Sequence, residues 1–304
     1  MNSWYTFEPV DTLFFRGSEP MIMGENHTSN FNFPPPAHTI EGAIRTYFYH
    51  LDKKGYSEII RLGEKKGSFN VIGPFFKEDG KIFVPAPYSW FIEKQEEKTD
   101  TENESKVTKV IKSYKVSTNL IQTSNNETYW VKPSEKDVET LGGRWLLLSD
   151  LISNKEKVEV RNSSDFFVQE YRTGIALEKN RKVREGHIYA FVHARLKEKV
   201  SIVFGIDKDL PLEHSVTITL GAEQRFGKLK RIANNINFEN DGSMYMNLSI
   251  FEANDEANKH IVATGKPLYL GGWDLAKGFH KPMRGFFPAG SVFTKKLDNN
   301  FINI

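Results

Sequence analysis

The sequence of 304 residues contains no cysteine. That absence excludes disulfides, thiolate metal sites and cysteine nucleophiles in one step, and it fits a cytoplasmic protein. An excess of one charge is also missing: 41 Lys and Arg against 39 Asp and Glu leave a formal net charge of +2. Any nucleic-acid surface must therefore come from uneven placement of the cations. Long apolar runs are absent, so no membrane span is expected. The opening segment, residues 1–15, lacks the basic and continuous apolar regions of a signal peptide. The common catalytic signatures are missing as well. There is no phosphate-cradling G-x-x-x-x-G-K-S/T, no H-E-x-x-H, no EF-hand loop and no G-x-S-x-G elbow. The chain reads as a non-enzyme, with no cofactor and no metal.

What is present is ordinary for a folded soluble chain: 39% hydrophobic and 26% charged residues. The 23 Phe, 11 Tyr and 5 Trp are a generous aromatic supply. Most are expected to pack a core, and a few could stack on bases. The length allows one large domain or two modest ones.

Residues 4–15 are aromatic and β-branched in part and predict a strand ended by Arg16-Gly17. Pro34-Pro35-Pro36 then leads into a helix over about 39–51, where Ile40, Ala43, Ile44, Tyr47, Phe48 and Leu51 share one face. Residues 71–76 and 81–84 predict a hairpin around Glu78-Asp79-Gly80. Residues 93–106 carry no aromatic or aliphatic side chain and predict a solvated insertion. Strand signals dominate the second half, at 174–177, 187–196, 200–206, 216–220 and 245–252. The order predicts an α+β fold of two ferredoxin-like (βαββαβ) domains, 1–160 and 161–304.

Three basic, glycine-punctuated stretches are the candidate binding elements. Residues 174–186 place Lys179, Arg181, Lys182 and Arg184 in an expected inter-strand loop that could follow a phosphate backbone. Residues 221–231 form an expected glycine-bounded loop with Arg225, Lys228, Lys230 and Arg231. There Gly221 and Gly227 would let backbone approach a ligand closely. Residues 271–293 interleave Trp273, Phe279 and Phe286 with Lys277, His280, Lys281 and Arg284, a mixture suited to single-stranded RNA. Each stretch also admits a plainer reading as solvated surface or packed core. His27 and His38 flank the start of the first helix, and either could act as a general base or simply pack and hydrogen-bond locally.

Four blocks carry a family resemblance: FEPVDTLFFRG, FPPPAHTIEGAIRTYF, YRTGIALEKNRKVREGHIY and GGWDLAKGFHKPMRGFFPAGSVF. They resemble the third subunit of the Cmr complex, the type III-B CRISPR effector, within the RAMP superfamily. The blocks run from Phe7 to Phe293, almost the whole chain. The resemblance implies two RRM-like domains facing each other. It also implies a subunit that grips the 5′ repeat-derived tag of the CRISPR RNA, docks on the large polymerase-like subunit and neighbours a RAMP backbone subunit. No catalytic residues carry over, and no membrane is involved. The glycine-rich loop of such proteins maps onto residues 221–227, where Ala222 replaces a second glycine found in many relatives. The equivalent subunit of the type III-A complex shares this role without these blocks.

From the residues and the resemblance together, Arg172, Arg181, Lys182, Gly221, Arg225, Gly227 and Lys228 are expected at the RNA. Arg16, His38, Arg45, Lys281 and Arg284 complete the expected set. Two alternatives stay open: a RAMP endoribonuclease that matures CRISPR RNA by a histidine-dependent cut, and a scaffold whose basic loops touch only protein.

Overall fold

The structure, a computed structural model, describes residues 3–15, 32–63, 68–94, 106–116, 128–130, 137–233, 236–238, 240–271, 273–274 and 278–304. Arg16, His27, Lys277 and all but the ends of the charged insertion lie outside the described residues.

Contacts divide the chain into two compact units. The first is Met1–Pro74, Phe166–Asn234 and Tyr269–Met283; the second is Phe75–Asp165, Asn235–Leu268 and Arg284–Ile304. The units therefore do not follow the sequence order 1–160 then 161–304. The cause is antiparallel pairing between strands far apart in the chain, which draws the first strand among strands from the far side of residue 160.

The first unit is built on β1 (Ser3–Pro9), α1 (Ala37–Asp52), α2 (Ser57–Ile60), β2 (Phe167–Leu177), β3 (Val183–Leu196), β4 (Val200–Ile206), β5 (Ser215–Thr219) and β6 (Phe226–Ile232). Antiparallel pairing runs in the order β5-β6-β1-β4. Tyr5 and Phe7 lie opposite Phe204 and Ile202 on β4, and Phe7 lies opposite Leu229 on β6. These side chains are buried with Val216 and Ile218 of β5. The helix face read from the sequence covers them, since Ile40, Ile44 and Phe48 are fully buried in the same cluster. Leu51, at the end of that stripe, is instead 55% exposed, because the helix runs past the sheet it covers. Truncating a fully buried aromatic such as Phe48 would cost about 3–5 kcal/mol.

Two boundaries differ from expectation. The first strand ends at Pro9; among the described residues that follow it, Leu13 makes an isolated β-bridge to Ala194. The stretch 226–231 is strand β6 rather than loop. Its alternation, with Gly227 and Leu229 buried and Phe226 and Lys228 exposed, satisfies β5 on one side and β1 on the other. β2 and β3 form a separate two-stranded ribbon, paired from Phe167↔Leu196 to Leu177↔Val183 with one irregularity between Ile175 and Leu177.

In the second unit, the strand Lys81–Pro85 pairs with the end of Val71–Glu78 and with Trp145–Leu147. Lys157–Arg161 and Lys106–Lys109 continue that ladder. Asp79 and Gly80 both take positive φ, 46° and 81°, in the expected hairpin turn. A second group of strands, Tyr245–Asn247, Val292–Phe293 and Phe301–Asn303, packs around a small aromatic core. Its rings Phe251, Phe287, Phe293 and Phe301 meet edge to face, with centroids 5.0–6.2 Å apart. The expected strand 245–252 is thus two short ones, Tyr245–Asn247 and Phe251–Glu252. The chain is a mixed α/β protein of mostly antiparallel strands with few helices. Among the described residues, no helix is long and apolar enough to cross a membrane.

Candidate nucleic-acid interface

The β5–β6 connection is fixed by its own backbone. Leu220 N donates to Arg225 O at 2.8 Å, and Ala222 N donates to Phe14 O at 2.8 Å. Gly221 (φ +95°), Glu223 (φ 56°) and Gln224 (φ 53°) all take left-handed backbone, which costs the two non-glycine residues about 1 kcal/mol or more each. Ala222 does not take positive φ, so the position where relatives carry a second glycine places no demand for one here. A Cβ on Gly221 would stand 2.6 Å from Phe14 O, and one on Gly227 would stand 2.5 Å from Glu8 O. The close approach these two glycines permit is to the protein's own backbone.

This loop delivers Arg225 to a charged cluster. Arg225 Nη1 donates to Asp11 Oδ2 at 2.9 Å, and its Nη2 donates to Glu223 Oε2 at 3.1 Å. The ribbon adds two more guanidiniums. Arg172 Nη2 reaches Asp11 Oδ2 at 3.2 Å, and Arg195 Nη2 reaches Asp11 Oδ1 at 3.1 Å. Glu170 lies between them, accepting from Arg172 at 2.8 Å and from Arg195 Nε at 2.6 Å. Three guanidiniums thus meet three carboxylates, and the cluster carries no formal net charge.

Beneath the cluster lies His193, whose side chain is 1% exposed. Its Nδ1 shares a hydrogen bond with Thr12 Oγ1 at 3.0 Å, and its ring stacks on Phe14 with centroids 5.1 Å apart. Phe14 in turn touches Phe191 at 4.8 Å. Nε2 of His193 lies 3.8 Å from Glu223 Oε2, too far for a hydrogen bond, and is a buried polar atom with no partner. Burial first, then the Arg172 and Arg225 cations, hold the imidazole below its ordinary pKa; Glu223 and Glu170 oppose them. Burial would raise the Asp11 carboxyl, but the Thr12 N–H and the Arg172 and Arg195 guanidiniums outweigh it and hold the group low. Hydrogen bonds from Arg195 and Arg172 lower Glu170 in the same way.

The ribbon tip is different in kind. Lys179, Arg181, Lys182 and Arg184 are all exposed. Glu178 N donates to Lys182 O, Arg181 N donates to Glu178 O, and Arg181 takes φ 64°. Arg184 stands on β3 itself rather than in the loop. Along the ribbon, Tyr171, Ile175, Leu177 and Val183 are exposed apolar side chains.

The remaining expected residues are scattered. His38 opens onto solvent, yet crowding by surrounding protein, with the Lys281 cation second, lowers its pKa. Lys281 itself is exposed. Arg45 donates from Nε to Ile60 O at 2.6 Å and from Nη2 to Arg61 O at 2.7 Å, so it clamps the end of α2. Lys228 is exposed on β6. Arg284 belongs to the second unit, where it donates to Glu252 at 2.6 Å. Of the expected set, the structure therefore brings together Arg172, Gly221 and Arg225. Asp11, Glu170, Glu223, His193 and Arg195 are members of this cluster that sequence reasoning missed. The alternations Glu170/Arg172 and His193/Arg195 were visible as same-face pairs; the register Glu170↔His193 that sets them side by side was not. Among the described residues, no group of three or more His, Asp or Glu could hold a metal ion.

A family model described as CRISPR-associated protein (Cas_Cmr3) matches residues 5–244. Among solved structures, a chain of the type III-B Cmr-beta complex bound to cognate target RNA superposes with a TM-score of 0.60 at 18% identity, over 96% of this chain and 86% of that one. A chain of the Cmr-beta complex bound to cognate target RNA and AMPPnP gives 0.59 at 16% identity, over 95% and 85%. At such identities the likeness is one of fold. No curated protein matches the sequence.

Proposed function

This chain belongs to the Cas_Cmr3 family of CRISPR-associated proteins, and from that premise we propose that it is a non-catalytic, RNA-gripping subunit of a type III-B CRISPR ribonucleoprotein. In this reading it holds the 5′ repeat-derived tag of the CRISPR RNA, docks on the large polymerase-like subunit and abuts a RAMP backbone subunit. Two ferredoxin-like domains are part of the same reading. The observation that carries it is the ribbon tip, where four exposed cations, Lys179, Arg181, Lys182 and Arg184, stand within six positions. Such a tip suits a phosphate backbone. The solved complexes with this fold hold target RNA, which supports the same assignment.

Co-expression with the genomic neighbours, capture on this chain and sequencing of any co-purified RNA tests the reading. RNAs sharing one constant 5′ segment, together with a large partner subunit, are expected. A partner recovered without RNA, from a complex whose other subunits hold RNA, would leave a scaffold instead.

A second reading has one observation in its favour. His38 is solvent-exposed, and crowding by the surrounding protein, then the Lys281 cation, holds its imidazole below its ordinary pKa, which favours the unprotonated form a general base needs. A histidine-dependent ribonuclease would cleave repeat RNA in a single-turnover assay and lose that cleavage in His38→Ala. The non-catalytic reading expects no cleavage from either protein.

A further inference from the structure

Asp11 accepts hydrogen bonds from three guanidiniums that come from three separate stretches of the first unit. Arg195 takes Oδ1, while Arg172 and Arg225 share Oδ2. One carboxylate needs one such partner to be neutralised. Glu170 and Glu223 share these guanidiniums, so with Asp11 displaced three cations face two carboxylates, and one net positive charge is left for another anion. A phosphodiester monoanion fits that charge, and guanidinium forks match its two free oxygens.

We propose that Asp11 is a built-in stand-in for an RNA phosphate: Arg172, Arg195 and Arg225 form an anion pocket that the Asp11 carboxylate fills in the free protein and that a phosphodiester of single-stranded RNA takes over on binding. The inference rests on the RNA-gripping reading and adds to it Arg195, the competitor Asp11 and the direction of the competition.

The exposures make exchange feasible. The side chains of Asp11, Arg172 and Arg195 are 43%, 33% and 46% exposed, so those two pairs are screened by water and individually weak; Arg225, at 20%, is the less exposed partner, and its pair still has a half-open carboxylate. A phosphate can displace the carboxylate without breaking a desolvated ion pair. The surroundings also hold unmet hydrogen-bonding capacity. Arg225 Nε and the buried Nε2 of His193 have no partner, and both belong to residues that border Glu223 in the same cluster. Both atoms are buried and mark unmet polar capacity beside the cluster. Occupancy by the protein's own carboxylate also sets a threshold, since every polyanion must first displace Asp11.

The test titrates the full-length chain against a short fluorescent single-stranded RNA over a range of salt. Asp11→Asn keeps the side chain's shape and removes the competing charge. It should bind the RNA several-fold more tightly than wild type. Arg195→Ala should bind several-fold more weakly, with a shallower salt dependence. Asp209→Asn is the charge control: Asp209 is an exposed acid of the same unit, paired with Arg231 at 2.9 Å, and its loss should leave affinity close to wild type. An Asp11→Asn protein that folds and binds no more tightly than Asp209→Asn overturns the inference while leaving the RNA reading intact. If Asp11→Asn does not fold, Arg195→Ala decides, and unchanged binding there overturns the inference. Wild-type protein that binds no RNA at low salt takes down the RNA reading and the inference together.

Discussion

Arg225 and Asp11 lie 214 positions apart in the chain and meet at 2.9 Å. Their contact ties the β5–β6 connection to the segment that leaves β1, and Arg172 and Arg195 tie the ribbon to the same carboxylate. The charged cluster is therefore the point at which three separate parts of the first unit are fixed to one another. Its behaviour towards acid follows from that position.

Asp11 and Glu170 have lowered folded-state pKa values, so near and below their ordinary values the unfolded chain holds more protons than the folded one. Stability from these groups is present above those values and is lost as pH falls through the lowered ones. His193 acts in the same direction. The unfolded imidazole takes a proton near pH 6.5, whereas the folded one, crowded by burial and by Arg172 and Arg225, resists it. His38 adds a second such contribution. Thermal unfolding followed between about pH 7.5 and about pH 2 should show melting temperature falling in two stages, the first beginning near 6.5 and the second below about 4. His193→Gln should shrink the first stage and spare the second. A first stage unchanged in that variant would remove His193 from the account.

Gly221 and Gly227 separate two kinds of glycine. Gly221→Ala must accept both a left-handed backbone and a Cβ 2.6 Å from Phe14 O, and should cost about 2 kcal/mol or more. Gly227→Ala meets Glu8 O at 2.5 Å on a buried strand position without positive φ, and should cost about 1–3 kcal/mol. Urea unfolding of the two proteins measures both. If the RNA itself required these glycines, affinity would collapse in variants whose stability was intact.

Much of the fold was legible in the sequence alone. The 3.6-residue face of α1 named Ile40, Ile44 and Phe48, all buried, and the run of β-formers at 200–206 matched β4 to the residue, although all seven of its residues are buried rather than alternating. The hairpin around Asp79-Gly80 followed from its turn chemistry. The candidate site was less legible, because it is made of register and long-range contact. Glycine at 221 and 227 suggested a loop open to a ligand, but Gly227 is a strand residue pressed on β1. Arg172 and Arg225 were chosen for their charge, and nothing local in the sequence shows that each is neutralised by Asp11.

Arg45 has a structural occupation. It donates to the carbonyls of Ile60 and Arg61 at the end of α2, where Arg61 takes φ 42°. Arg45→Ala leaves those carbonyls without this donor and should cost about 1–2 kcal/mol. Arg45→Lys should recover only part of the loss, because an ammonium cannot span both carbonyls with a planar fork. RNA affinity should stay at the wild-type value in both proteins. A drop in affinity with unchanged stability would instead put Arg45 at the RNA.

Arg181 and Lys182 should show the opposite pattern. Both are exposed at the ribbon tip, so Arg181→Ala and Lys182→Ala should change stability by less than about 0.5 kcal/mol. Arg181 takes φ 64°, so Arg181→Gly is the companion variant that separates backbone strain from loss of charge. If each cation holds one phosphate of a single strand, each substitution lowers the slope of log affinity against log salt by about 0.7, and the pair lowers it by about 1.4. The loss should be the same for RNAs of different sequence, since phosphate contacts carry no base information. A loss confined to one RNA sequence would make the tip a reader of bases. An unchanged slope in the double variant would remove the tip from the RNA surface, and the cluster on Asp11 would then be tested as a phosphate site by Arg195→Ala on the same salt series.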